Sequence, residues 1–292
     1  MGLNMDRELF KKIRRIQIQT THLAEDILAG AYHSAFKGKG MEFEEVREYQ
    51  PGDEIRHIDW NVTARMSHLY VKNFKEEREI TVFLLVDISA SSRFGSQNLL
   101  KSELIAEIGA VLAFSANKNQ DRVGLILFSD QVESYLSPKK GLRHVLRVVR
   151  DLLVFSPQHS KTDLGAALAF LGKVQRKAAI CFLISDFLAT GYEHQAKLIA
   201  QGHDLISICV QDPFEAHIPP LGLLNMQDLE TESVALIDSN QPQNPLRESA
   251  QAHLRDVQFF MKTIGADFLS IRTDQPFMPV LRKFFKVRGM KR

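Results

Sequence analysis

Five apolar runs stand out along the chain: "EITVFLLVD" (79–87), "DRVGLILFSD" (121–130), "AAICFLISD" (178–186), "DLISICVQD" (204–212) and "ADFLSIRT" (266–273). Each is short, rich in β-branched and aliphatic residues and bounded by polar ones, the pattern of strands covered on both faces. Between them, apolar positions recur with helical spacing over about 98–117, 141–155, 162–175, 193–201 and 245–264. Strand and helix alternate, which predicts an α/β domain with a doubly wound, mainly parallel sheet. "QVESYLSP" (131–138) follows its predecessor too closely for a helical crossover and is expected as an antiparallel edge. "PPLGLLNMQDLETESVALIDS" (219–239) reads as a hairpin inserted before the last long helical stretch.

The first quarter of the chain has a different texture. Leu9, Ile13, Ile16, Leu23 and Ile27 form one apolar stripe, predicting a helix over 7–28 that stops near Gly30. Residues 36–74 mix charged residues with turn formers such as "PGDE" and an alternating "HLYVKNF", and are read as short strands and turns rather than a helix. The expected division is therefore 1–77, a helix with a small β-rich appendage, and 78–292, the α/β domain carrying the 219–239 hairpin. In the appendage, Asp53, His57 and Asp59 lie among Arg47, Arg56 and Arg65; a structural knot of ion pairs is expected there, with Trp60 packing the appendage on the main sheet.

Composition narrows the function classes. With 37 basic and 35 acidic residues the net charge is +2, so no nucleic-acid or membrane surface partner is called for. The start, "MGLNMDRELFKKIRRIQ", carries charge throughout and lacks the apolar core of a signal peptide, and no segment reaches the roughly 18 uninterrupted apolar residues of a membrane span. The two cysteines, Cys181 and Cys209, each fall inside a buried-strand pattern and are expected as core thiols in a reducing compartment. A cytoplasmic protein is the expectation.

The chemistry gathers where the apolar runs break. "LLVDISASSRFGS" (84–96) ends a strand in Asp87 and then delivers Ser89 and Ser91 at steps of two into a loop. "SKTDLGAAL" brings Thr162 to a helix start, and "LISDF" ends another strand in Asp186. Acids at the carboxyl ends of parallel strands arrive at one rim, where ligands of open α/β sheets bind. Two carboxylates and three hydroxyls suit a hard divalent cation that keeps water or accepts an incoming acid. Taken singly, each residue has a plainer role: the serines as caps or loop polars, Thr162 with Asp163 as an N-cap pair, and Asp186 as a turn acid.

Taken together, Asp87, Ser89, Ser91, Thr162 and Asp186 resemble the metal-ion-dependent adhesion site of von Willebrand factor type A domains, which are Rossmann-like: an Asp-x-Ser-x-Ser run, a distant Thr and a distant Asp. "GKGMEFEEVREYQPGDEIRHIDWNVTAR", followed by "LYVKNFKEEREI" and this strand, resembles the bacterial domain-of-unknown-function family fifty-eight from about residue 36 to the C-terminus. Ser92 departs from many relatives, which have Met there, but is not a ligand position. The resemblance implies a cytosolic, non-catalytic adaptor or chaperone-like protein working with a MoxR-type AAA+ ATPase. It also implies Mg²⁺, or Mn²⁺ or Ca²⁺ in its place, weakly held by those five residues and completed by an acidic side chain of the partner.

The rival is a metal-dependent phosphoesterase-type hydrolase using Asp87 and Asp186, since an acid after a first parallel strand can serve as a nucleophile. The haloacid-dehalogenase type wants a second Asp two residues on, where this chain has Ser89. "FKGKGM" is not a phosphate-binding loop, and the histidines, including His33, His144 and His217, have no motif context.

Overall fold

The structure is a computed structural model and describes residues 32, 36, 41–66, 68–76, 80–96, 99–216, 219–240 and 245–290. The helix expected over 7–28 lies outside the described residues.

Six strands form the main sheet: β3 (Thr81–Asp87), β4 (Arg122–Phe128), β5 (Val132–Lys139), β6 (Ile180–Ser185), β7 (Asp204–Gln211) and β10 (Asp267–Arg272). Their spatial order is β10-β7-β6-β3-β4-β5. All neighbours pair in parallel except β5, which runs antiparallel to β4. That exception follows from the three residues joining the two strands, too few for a crossover. The doubly wound, mainly parallel α/β architecture is thus what the chain adopts.

Alternation along β3 shows why its whole run is apolar. Val82, Leu84 and Val86 pack with α2 (Lys101–Lys118), α3 (Leu142–Val154) and α8 (Phe277–Met290) on one face. Phe83 and Leu85 pack with α4 (Leu164–Val174), α5 (Glu193–Gly202) and α7 (Pro245–Thr263) on the other. Every β3 residue from Val82 on is buried, so both faces must be apolar. Across the β3–β4 pair, the Phe83 ring lies over Gly124: a Cβ there would come within 2.6 Å of the ring, so only glycine admits this packing. Tyr32 and Phe36, four residues apart, stack edge-on with Phe285 of α8 and pack on the first face. At the foot of the sheet, Arg288 of α8 binds Asp204 and Asp267 at the amino ends of β7 and β10 and covers the Phe36 ring.

The appendage pairs β1 (Met41–Glu48) with β2 (Tyr70–Glu76) in a two-stranded antiparallel sheet. Between them, contrary to the strand-and-turn expectation, runs a seven-residue helix, α1 (Trp60–Met66). Asp59 starts it by accepting from the Asn61 and Val62 amides, at 3.0 and 3.3 Å. Arg47 grips Asp53 with two hydrogen bonds of 2.7 and 2.8 Å, and this contact, with the Gln50 amide, holds the Asp53 carboxyl down at about 2. Arg56 pairs with Glu54, while Lys72, rather than Arg65, faces Asp59. Trp60 does not pack on the main sheet: as the first residue of α1 it is 64% exposed, because Asp59 turns the helix start outward and Ile58 supplies the buried contact instead.

A second hairpin, β8 (Leu223–Gln227) with β9 (Val234–Asp238), occupies the insertion expected over 219–239. The C-terminal helix α8 and the four-residue α6 (Pro213–Ala216) are additional elements.

Candidate metal centre

The chain leaves β3 toward β4 on one side and later returns to place β6 on the other, so the sheet's switch point lies between β3 and β6. Asp87 ends β3 and Asp186 follows the last residue of β6, which brings the two carboxylates to that crevice.

Asp87 is 2% exposed. Its Oδ1 accepts from the Ser89 amide at 2.9 Å and its Oδ2 from the Ser185 hydroxyl at 2.6 Å. Burial, reinforced by the Asp186 carboxylate, pushes Asp87 up to about 7 against the hydrogen bonds from Ser185 and Ser89. After Asp87 the backbone tightens into a short 3-10 turn, Ala90–Arg93, with Ser92 Oγ donating to Ser89 O at 2.7 Å. That turn folds Ser91 back toward Ser89, and their hydroxyl oxygens lie 3.1 Å apart. Neither serine caps α2, which begins only at Lys101.

The loop carrying Thr162 docks against this turn: the Ala90 amide donates to Ser160 O and the Asp163 amide to Ser129 O at the end of β4. Asp163 is the N-cap of α4, accepting from the Ala166 amide at 2.9 Å, so Thr162 stands just ahead of the helix rather than in it. Thr162 Oγ1 donates not to the serines but to Glu230 Oε1, at 2.7 Å, a residue of the turn between β8 and β9.

Asp186 has its own partners. Lys101, the first residue of α2 and 0% exposed, donates to Asp186 Oδ2 at 2.9 Å and to Glu215 Oε1 at 2.5 Å. Burial works to lower the Lys101 ammonium, but the Asp186 and Glu215 carboxylates outweigh it and leave it above its ordinary value. Glu215 is raised, by burial first, with Lys101 opposing. Next along the rim, Asp212 stands just beyond β7, fully buried and satisfied by Ser96, the Phe214 amide and Thr273. Directly after Asp186, Phe187 adopts φ 60° with its side chain fully buried. A non-glycine residue in this left-handed region stores roughly 1–3 kcal/mol, and such strain collects at functional rims.

Among the described residues no three or more His, Cys, Asp or Glu side chains cluster as a metal site would require. The donor set here is instead hydroxyl-rich. Octahedral magnesium places adjacent oxygens roughly 3.0 Å apart, from its ~2.1 Å bonds. The 3.1 Å between the Ser89 and Ser91 hydroxyls is close to that edge. Acids outnumber cations here: Asp87 is raised in part by the neighbouring Asp186 carboxylate, and Lys101 is shared between Asp186 and Glu215, a crowding that a divalent cation would relieve. The residues therefore fit a hard divalent ion in chemistry: Ser89, Ser91 and Thr162 as neutral oxygens, Asp87 and Asp186 as the charges around them.

Lys101, Ser185, Glu215 and Glu230 are the site residues that the sequence alone did not single out. For Lys101 a signal was present: a cation at a helix amino end opposes the helix dipole and implies local compensating acids. Glu230 carried none.

A doubly wound, mainly parallel α/β sheet with an Asp-x-Ser-x-Ser turn at its switch point defines the class of protein. The particular family follows from comparison with known proteins. Residues 45–258 match the family described as "protein of unknown function DUF58". The chain belongs to that family. It is 28% identical to the uncharacterized protein Rv1480 of Mycobacterium tuberculosis over 97% of this chain and 90% of that one. Among solved structures it is similar to the conserved hypothetical protein BatB from Bacteroides thetaiotaomicron, at 19% identity over 73% of this chain and 98% of that one, with a TM-score of 0.49. It is also similar to a von Willebrand factor type A protein from Catenulispora acidiphila, at 8% identity over 72% and 43%, with a TM-score of 0.45.

Proposed function

We propose that this protein is a non-catalytic, divalent-metal-dependent protein-binding adaptor of the cytoplasm, working with a MoxR-type AAA+ ATPase and engaging an acidic side chain through the Asp87 centre. The observation that carries the reading is the pair of hydroxyls from Ser89 and Ser91, 3.1 Å apart beside a buried carboxylate at the sheet's switch point. Asp87, Ser89, Ser91, Thr162 and Asp186 would hold Mg²⁺, or Mn²⁺ or Ca²⁺. Bound there, the ion supplies a focused positive charge that a partner carboxylate completes. The chain's own residues shape that contact. Ser185 and the Ser89 amide hold Asp87 in orientation, and Lys101 fixes Asp186. The Cys181 and Cys209 thiols, both free, buried and raised by burial, suit a reducing compartment.

A non-catalytic role is supported by Ser89, which stands where the second acid of a haloacid-dehalogenase-type hydrolase would be.

The test is affinity capture from the native cytosol with wild type and Asp87→Ala, each in Mg²⁺ or EDTA. An AAA+ ATPase retained only by wild type in Mg²⁺ is expected. Equal retention in all four conditions would contradict the reading and shift the contact to the appendage.

A further inference from the structure

The hydrogen bond from Thr162 to Glu230 joins two parts of the fold that otherwise touch little. Strands β8 and β9 pair with each other and make no extensive contact with another strand or helix among the described residues. The turn between them is held in shape from within. Asp228 accepts from the Glu230 and Thr231 amides and the Thr231 hydroxyl, the Asp228 amide donates to Ser233 O, and Glu232 takes φ 59° to close the loop. At the base of the hairpin, Ser239 binds Gly222 O and the Leu221 amide. A stiff hairpin, buttressed at its base, therefore carries one carboxylate at its tip to the hydroxyl of the metal-site threonine.

We infer that Glu230 is a built-in acidic occupant of the Thr162 side of the metal centre, standing where an acidic partner residue would bind and gating access to it. The inference rests on the metal reading above and deepens it by naming the first competitor for the site. Three observations carry it. The Glu230 carboxylate accepts a 2.7 Å hydrogen bond from Thr162 Oγ1, so it is in direct contact with the threonine oxygen that the ion would use. The threonine's partner is a carboxylate on a segment 68 residues away, not a neighbouring loop group. The hairpin makes no extensive contact with another strand or helix among the described residues, so moving it breaks few contacts. A carboxylate tethered this closely acts at millimolar effective concentration, which sets the threshold a partner's acid must beat. The centre would thus be closed to weak carboxylates and open to a partner that also grips the hairpin or its surroundings.

The test uses the full chain and Mg²⁺ alone. Glu230→Gln keeps an oxygen to accept from Thr162 and removes only the charge. Calorimetric Mg²⁺ titration of wild type, Glu230→Gln and Asp87→Ala is combined with amide exchange over residues 228–233. The expected result is Mg²⁺ binding by wild type, weakening of about tenfold in Glu230→Gln, and Mg²⁺-dependent slowing of exchange over 228–233 in wild type that the variant lacks. Equal Mg²⁺ affinity in wild type and Glu230→Gln would overturn the inference while leaving the metal centre in place. Heat identical to that of Asp87→Ala in wild type would overturn the metal reading and the inference together.

Discussion

Lys101 shows how one side chain balances the site. It is fully buried between Asp186 and Glu215, and removing one member of such a group leaves uncompensated charge in a poorly solvated place. Lys101→Met is expected to lose about 3–5 kcal/mol of stability in EDTA, and to recover more on adding Mg²⁺ than wild type does, because the ion then supplies the missing positive charge. Urea unfolding in EDTA and in Mg²⁺ reads both effects; a variant as stable as wild type in EDTA would show that the lysine is not balancing these acids. At this scale the sequence was informative wherever a residue broke an apolar run. Asp87 and Asp186 stood out because strands ended on them, and Ser89 and Ser91 because they repeat at steps of two. Glu215 and Glu230 did not, since their contacts span 114 and 68 residues and no local pattern encodes such a pairing.

Strands and helices were legible to the extent that burial dictates their composition. β3, β4, β6 and β7 are covered on both faces, so their runs had to be apolar throughout. α1 escaped notice because it is a seven-residue helix with no buried side, started by Asp59 rather than by an apolar stripe. α8 was hidden by Pro279, which breaks a helix interior but sits here in the first turn, where no amide partner is lost. Between elements, Asp121 fastens the entry to β3: it ends the turn after α2, accepts from the Ile80 amide at 3.2 Å, and its own amide donates to Ala116 O. Burial raises Asp121 to about 7, with the Ile80 amide, Tyr32 and Lys140 opposing. A carboxyl whose folded value lies above its unfolded value of roughly 3.9 is stabilising below that pH and loses its contribution as pH rises toward 7. Asp121→Asn, which keeps an oxygen for Ile80, should therefore gain melting temperature relative to wild type between pH 4 and pH 7 and hold that gain above. A difference between the two that does not change with pH would contradict the assignment.

Across the whole molecule, two apolar layers clamp the sheet and leave its upper rim as the place where polar chemistry accumulates. Asp87, Ser129, Asp186, Asp212 and Thr273 all sit at or just beyond the carboxyl ends of their strands. The opposite edge is closed by the Arg288 pairs with Asp204 and Asp267. The fold thus confines ligand binding to one side, and the hairpin bearing Glu230 overhangs that side. The mainly parallel sheet, its antiparallel edge and the position of the rim could be anticipated from alternation and strand spacing. How far the hairpin reaches could not, because a hairpin's own pairing says nothing of what its tip meets.

The central claim, that Asp87 anchors a divalent-metal centre, is tested most directly by thermal unfolding of wild type and Asp87→Ala with Mg²⁺ raised from EDTA to millimolar excess. Binding to the folded state alone stabilises it by about 2.7 kcal/mol at 100 times the dissociation constant, which amounts to several degrees for a chain of this size. The melting temperature is expected to climb with Mg²⁺ in wild type and to stay flat in Asp87→Ala. A wild-type melting temperature that ignores Mg²⁺, Mn²⁺ and Ca²⁺ alike would contradict it.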